Sequence, residues 1–258
     1  MRCAVIGLGE AGGVYAAALA AAGHEVLGHD PADIPTPEGV TRTATLREAV
    51  DRAAYVLVLT GAAAAPAVAE QCLPHLAGGV CYADFTSAAP EVMDRLGRAV
   101  GERADFADVA ILGPVPLHGH LVPLLVSGPG AEAVARLIRP LGSPREVSVE
   151  VLDGPPGAAM ARKLLRSVFM KGLASVVCEA VSAGQAAGNE TWIRAEIAKQ
   201  LAGDGQTVID RFLTGSRTHA VRRAKEMRDT AAYLDALGVP AEMTRAAERT
   251  LHRLSALS

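Results

Sequence analysis

Short apolar runs alternate with longer segments of helical period over the first half of the chain. The runs 2–7 (RCAVIG), 25–29, 54–59 (AYVLVL), 79–84, 107–112 and 121–127 (LVPLLVS), and another near 145–152, read as strands. Between them, 10–22, 62–76, 88–100 and 130–141 are Ala-rich, with apolar positions at helical spacing. Strands alternating with helices in this way predict a mainly parallel sheet covered on both faces. Pro31, Pro35 and Pro37 predict a long loop after the second strand.

From about residue 155 the texture changes. No β-branched run recurs, and 156–186, 189–201, 204–213, 217–236 and 240–256 read as helices. Stops are expected at Gly188, Gly203, Gly215 and Gly238-Val239-Pro240, and the domain boundary at Gly154-Pro155-Pro156. The predicted fold class is therefore an α/β Rossmann-type N-terminal domain, residues 1–154, followed by an all-α C-terminal domain, residues 155–258.

Composition narrows the function. At 258 residues the chain is long enough to bury a core without staples. Its 25 Lys and Arg against 28 Asp and Glu leave a formal charge of −3, no electrostatic reason to expect nucleic acid or an anionic membrane. Aromatics at 3% provide no stacking platform for single strands. Cys3, Cys72, Cys81 and Cys178 are scattered without a CxxC, so neither a zinc site nor a disulfide framework is indicated, and a cytoplasmic setting is expected. Glu10 and glycines interrupt the apolar stretch 2–22, and Arg166, Lys171 and Glu179 interrupt 164–184. The first reads as strand plus helix, the second as a largely buried helix.

Gly7-Leu8-Gly9-Glu10-Ala11-Gly12 is a GxGxxG set between the first strand and the first helix. Gly7 permits the tight turn, Gly9 lets a pyrophosphate approach the backbone, and Gly12 lets helix and strand pack closely. The helix N-terminus supplies N–H groups and positive dipole to the anion. Asp30 closes the second strand, where a carboxylate can accept hydrogen bonds from the adenosine ribose and repel a 2′-phosphate. Pro31, not an arginine, follows it. This pattern favours NAD, with NADP as the alternative; the bland reading is that Asp30 only starts the loop.

Lys163, Arg166, Ser167 and Lys171 share roughly one face of the long helix that follows the boundary. A lysine in a cleft beside the nucleotide is suited to moving a proton during hydride transfer. By spacing alone, a solvated cationic stripe explains the same residues. His118 and His120 read as surface histidines, and Arg217, His219, Arg222, Arg223, Lys225 and Arg228 as a solvated helix or an anionic-substrate wall.

Taken together the motifs resemble the β-hydroxyacid dehydrogenase family, which includes 6-phosphogluconate and 3-hydroxyisobutyrate dehydrogenases. Four patches carry the resemblance. Gly7–Gly12 is similar to the family's GLGxMG, and Asp84-Phe85-Thr86-Ser87-Ala88-Ala89-Pro90 to its D-x-S-T-x-x-P. Asp108-Val109-Ala110-Ile111-Leu112-Gly113-Pro114 matches the D-A-P-V-S-G-G loop, and Gly157 with Lys163 matches G-x-G-x-x-x-K-x-x-N-N. A weaker fifth patch sets Lys225-Glu226-Met227 before Gly238-Val239-Pro240.

The resemblance implies that Lys163 is the general acid/base. It places the nicotinamide near Thr60 and Thr86, Lys225 near the cofactor, and the substrate against Ser87, Leu112, Gly113 and Ser167. Leu112 and Pro114 replace the family's Ser and Gly, and Arg166 and Ser167 replace two asparagines. Those departures resemble a branch described as NAD-binding and phosphogluconate dehydrogenase-like. The expected activity is hydride transfer between nicotinamide and a small hydroxy acid or keto compound. The alternatives are reduction of a C=N bond on the same fold, or dinucleotide binding without catalysis. A homodimer formed through the helical domain is expected, without nucleic-acid or membrane partners.

Overall fold

The computed structural model describes residues 1–256, and contacts divide the chain into two compact units, Met1–Arg166 and Ser167–Ser258. The first is built on eight strands: β1 (Arg2–Ile6), β2 (Glu25–His29), β3 (Val40–Arg42), β4 (Tyr55–Val58), β5 (Cys81–Asp84), β6 (Asp105–Ile111), β7 (Leu124–Ser127) and β8 (Val149–Val151). They form one sheet in the order β3-β2-β1-β4-β5-β6-β7-β8. Every pair is parallel except β6–β7. The link from β6 to β7 carries only a four-residue helix and a 3-10 turn, Gly119–Leu121, so the chain returns antiparallel instead of crossing over.

The helices of this unit are α1 (Glu10–Ala21), α2 (Leu46–Val50), α3 (Ala65–Cys72), α4 (Pro90–Val100), α5 (Val115–His118), α6 (Ala131–Ile138) and the start of α7 (Ala158–Ala186). Each sheet face has its own core. One packs Tyr82, Phe106, Met93 and Met160, with the Tyr82 and Phe106 rings stacked at 6.0 Å; the other packs Tyr15, Leu19, Leu57 and Ile138. Each such side chain taken from water contributes about 2 kcal/mol. Because the inner strands are covered on both sides, β1 is the unbroken apolar run Cys3-Ala4-Val5-Ile6.

The strands stop before Gly154. Ala159 and Met160, in the first turn of α7, are nevertheless buried against the sheet, which is why contacts divide the chain within the helix, after Arg166. Further along α7 the expectation of a largely buried helix is not met. Leu164, Leu165, Val168 and Phe169 are 51–76% exposed, so the chain itself does not cover them.

The second unit holds the rest of α7 with α8 (Glu190–Leu201), α9 (Gly205–Thr218), α10 (Ala220–Ala236) and α11 (Glu242–Ser255). Gly188 and Gly238 take left-handed φ of +72° and +71° beyond α7 and α10, as helix-ending glycines do. Gly215, expected as a stop, lies inside α9; a Cβ there would come 2.8 Å from the Arg223 guanidinium, so close approach explains this glycine. The small core is Ala231, Leu234 and Ala241. Glu179 of α7 caps α11, accepting from Met243 N at 2.7 Å and from the N and Oγ1 of Thr244 at 2.8 and 2.6 Å. Cys3, Cys72 and Cys81 are buried and Cys178 is exposed. Among the described residues no helix is long and apolar enough to cross a membrane.

Candidate functional site

In a parallel sheet the segments leaving the C-terminal strand ends lie along one edge. That edge carries Gly7 after β1, Asp30 after β2, Thr60 after β4, Thr86-Ser87 after β5 and Leu112-Gly113 after β6. The chain runs outward through β1, β2 and β3, then resumes on the other side of β1 with β4, so the order reverses beside the glycine loop. Such a reversal opens a ligand crevice.

The loop meets the steric demands of a dinucleotide. Gly7 has φ +91°, and a Cβ on Gly12 would lie 1.9 Å from the Gly7 carbonyl oxygen, so only glycine allows α1 to start against β1. A Cβ on Gly9 would meet nothing within 4 Å: that position faces open space, where an anion can approach the backbone. Leu8 is buried and anchors the loop, Glu10 is exposed at the first turn of α1, and Ala11 is half-buried. A cavity of about 590 Å³ runs over Gly7, Gly9, Asp30 and Thr60, and the Thr60 Oγ1 in its wall is buried with no hydrogen-bond partner. An open glycine, a carboxylate and an orphaned hydroxyl fit a dinucleotide.

Both readings of Asp30 hold in part. Its Oδ2 accepts the Leu8 N–H and its Oδ1 the Ala32 N–H, each at 2.8 Å, so it does organise the loop. A carboxylate has about four acceptor positions, which leaves capacity for ribose hydroxyls. Sequence reasoning saw no arginine here, yet the fold brings one. Arg42 of β3 donates to the carbonyls of Asp30 (2.8 Å), Ile34 (2.6 Å) and Ala32, tying the 31–36 loop to the sheet. It was missed because it lies 12 residues from Asp30 on a three-residue strand. His29 and Gln71, also in the cavity wall, carried no motif signal.

Lys163 and Ser87, 76 residues apart, meet: Lys163 Nζ donates to Ser87 Oγ at 2.5 Å. Ser87 has φ +62°, a left-handed conformation that costs a non-glycine residue about 1 kcal/mol and is found at functional turns. Asp84 holds that turn, its Oδ1 accepting from Thr86 N (2.8 Å) and Thr86 Oγ1 (2.6 Å). Thr86 is thus buried and engaged by Asp84, while Ser87 is exposed. Burial, then the nearby Asp108 charge, push the Asp84 carboxyl up to about 6 against the Thr86 hydrogen bonds.

Leu112 and Gly113 are half-buried just past β6, the Leu112 N–H bonded to the Pro123 carbonyl at 2.9 Å. Ser167 is half-buried on α7, one turn beyond Lys163, and Lys225 is exposed on α10 in the second unit. His118 is exposed, and the His120 ring lies 3.1 Å from the Leu141 carbonyl. The second unit has its own apolar cavity of about 470 Å³ with Trp192, Met227 and Tyr233 in its wall. Its one carboxylate, Glu179, is occupied in capping α11, so this cavity offers no acid–base group.

Residues 2–135 match the NAD binding domain of 6-phosphogluconate dehydrogenase, and residues 185–254 match a domain of unknown function, DUF1932. No curated protein matches the sequence. Among solved structures, the conserved protein MTH1747, described as structurally similar to 3-hydroxyacid dehydrogenases, is 26% identical, with 99% of this chain and 97% of that one covered and a TM-score of 0.64. An imine reductase from Streptomyces aurantiacus shares the fold at TM-score 0.81 and 22% identity, over 98% and 94% of the two chains. A reductive aminase from Aspergillus terreus, solved with NADPH, does so at TM-score 0.79 and 17% identity, over 100% and 94%. The matching model identifies the first unit as a nicotinamide-dinucleotide-binding domain.

Proposed function

Because the chain belongs to the family defined by the NAD binding domain of 6-phosphogluconate dehydrogenase, we propose that it is an NAD-linked oxidoreductase in which Lys163 moves the substrate proton. The observation that carries the reading is the Lys163–Ser87 hydrogen bond, which sets an amine beside the turn after β5. Bound nicotinamide supplies or takes up the hydride. Gly7, Gly9 and the N-terminal turn of α1 hold the pyrophosphate with backbone N–H groups and the helix dipole. Asp30 accepts from the adenosine ribose, and Thr60 Oγ1 donates to the bound dinucleotide. Lys163 Nζ gives its proton to the substrate oxygen when a carbonyl is reduced and takes it back in the reverse direction. Ser87 Oγ keeps the ammonium aimed.

NAD is favoured over NADP by charge. The Asp30 carboxylate repels a 2′-phosphate, and the Arg42 guanidinium is committed to loop carbonyls. The substrate is a small hydroxy acid or keto compound lying against Ser87, Leu112, Gly113 and Ser167. A C=N substrate is the second reading: Leu112 and Ser167 remove the Ser and Asn groups that hold an acid in the resembling family, and two of the similar folds are an imine reductase and a reductive aminase. The chain pairs with a second copy through its helical part, covering Val168 and Phe169 of α7 and Phe212 and Leu213 of α9, each more than half exposed. A monomer by gel filtration at micromolar concentration refutes that pairing.

Calorimetric titration with NADH and NADPH in parallel tests the cofactor assignment. Tighter NADH binding supports it, tighter NADPH binding overturns the Asp30 argument, and binding of neither overturns the oxidoreductase reading. Screening cyclic imines beside hydroxy acids then separates the two substrate classes.

A further inference from the structure

Beneath the Ser87–Lys163 contact lie two carboxyls with no part in the chemistry above. Asp84 on β5 and Asp108 on β6 are register partners, so their side chains leave the same sheet face from strands about 4.8 Å apart. Both residues are fully buried. Asp84 uses Oδ1 for Thr86. Asp108 uses Oδ2, which accepts from Gly157 N at 3.0 Å, Met160 N at 3.1 Å and Ser127 Oγ at 3.3 Å. The remaining oxygens, Asp84 Oδ2 and Asp108 Oδ1, have no hydrogen-bond partner. Two orphaned acceptors on adjacent carboxyls are matched by one proton: an O–H···O bond satisfies both and removes one of two buried like charges.

We propose that Asp84 and Asp108 share one proton, carried on Asp84 Oδ2 and donated to Asp108 Oδ1, and that the pair positions Ser87 and Lys163. Asp108 is the anion because its Oδ2 sits at the N-terminus of α7 with two backbone N–H donors, where negative charge is stabilised. Burial raises both carboxyls, Asp108 against hydrogen bonds from Met160, Gly157 and Ser127; Asp84, with only Thr86 as donor, is pushed up to about 6, by burial first and by Asp108. The groups sharing this face are mostly apolar: Val58 on β4, Met93 and Leu96 on α4, Ala159 and Met160 on α7. Its other titratable members are Tyr82 and, on α3, Cys72, both raised by burial and therefore neutral, while the Lys163 ammonium lies above on Ser87.

Each half of the pair anchors one end of the Lys163–Ser87 bond. Asp84 fixes the turn that holds Ser87 left-handed, and Asp108 fixes the first turn of α7, one turn below Lys163. The chemical role of Lys163 rests on the function proposed above; the sharing of a proton does not.

The test is urea unfolding of the full chain, without ligand, for wild type and Asp84→Asn between pH 5 and 7.5. A carboxyl raised in the folded state, from 3.8 to about 6, stabilises fully below the unfolded value and loses that contribution as pH rises through the folded one. The wild-type folding constant, relative to Asp84→Asn, should fall roughly tenfold across that range. A ratio independent of pH overturns the shared proton. Positioning is read separately by competitive acetylation of Lys163, followed by mass spectrometry. Asp84→Asn, whose carbonyl still accepts from Thr86 and whose amide still donates to Asp108, should keep the wild-type rate. Asp84→Ala should raise it several-fold, and Ser87→Ala supplies the same loosened reference if Asp84→Ala does not fold. Equal rates in Asp84→Asn and the loosened variant overturn the positioning role. None of these readouts depends on cofactor binding or turnover, so failure of the proposed function leaves them intact.

Discussion

Two alanines in one loop separate the packing role of the glycine motif from its ligand role. In Gly12→Ala the new Cβ would sit 1.9 Å from the Gly7 carbonyl oxygen, against a normal contact of about 3.2 Å. Relief requires the first turn of α1 to retreat from β1 by about 1 Å. Overpacking of this kind costs about 1–3 kcal/mol, which in a chain of this size lowers Tm by roughly 2–12 °C. The same retreat displaces the N–H groups that face the pyrophosphate. Charge-assisted hydrogen bonds are worth about 1.5–3 kcal/mol each, so losing one weakens NADH binding by roughly 10- to 100-fold. Gly9→Ala differs: its Cβ meets nothing within 4 Å and φ is −62°, so the fold tolerates it. Only the weaker helix start costs anything, about 1 kcal/mol or less. Its methyl group enters the space above the loop, and NADH affinity should fall as far as in Gly12→Ala with Tm lowered by only a few degrees. Calorimetry and thermal unfolding on the two variants give the four numbers needed. Wild-type affinity in Gly9→Ala would show that no pyrophosphate lies over that position, and wild-type Tm in Gly12→Ala would refute the packing argument.

Three further outcomes are expected. Lys163→Met should keep cofactor affinity within a few-fold and lose turnover by about 10²–10⁴, the usual worth of a positioned acid–base group; near-normal turnover removes Lys163 from the mechanism. Arg42→Met should free the 31–36 loop, seen as faster proteolysis there and weaker NADH binding, whereas an unchanged cleavage pattern would contradict its role as a tie. Burial pushes the Glu179 carboxyl up, but its hydrogen bonds from Thr244, Met243 and Glu242 outweigh this and hold it below 4.5. The stability it contributes is therefore present above pH 4.5 and lost as pH falls through its folded value. Glu179→Ala should remove that acid dependence and cost about 1–2 kcal/mol through the lost cap of α11; identical acid unfolding curves would refute it.

The sheet was legible because burial on both faces writes strands as apolar runs, and because the glycine loop must stand where β1 becomes α1. β3 was not, since three partly exposed residues carry no period. α2 announces itself only by Thr45 accepting from Glu48 N, a five-residue helix whose cap is its main signal. The long helix was read as buried from its apolar content; apolar content marks a surface that wants cover and does not say which chain covers it. At the site, Lys163 and Ser87 were both visible in motifs, but their contact depends on the fold closing 76 residues. Asp84 and Asp108 stood in quoted motifs without a role. Their significance lies in strand register and in which oxygens are left without donors, and neither is written in local sequence.

The cysteine distribution makes the protein convenient for single-probe work. Burial pushes the thiols of Cys3, Cys72 and Cys81 up to about 11, 12 and 12, so at neutral pH they are neither ionised nor reachable. Cys178 is exposed on α7, in the helical unit. A maleimide dye should therefore attach at one place in the unaltered sequence and report on the helical unit.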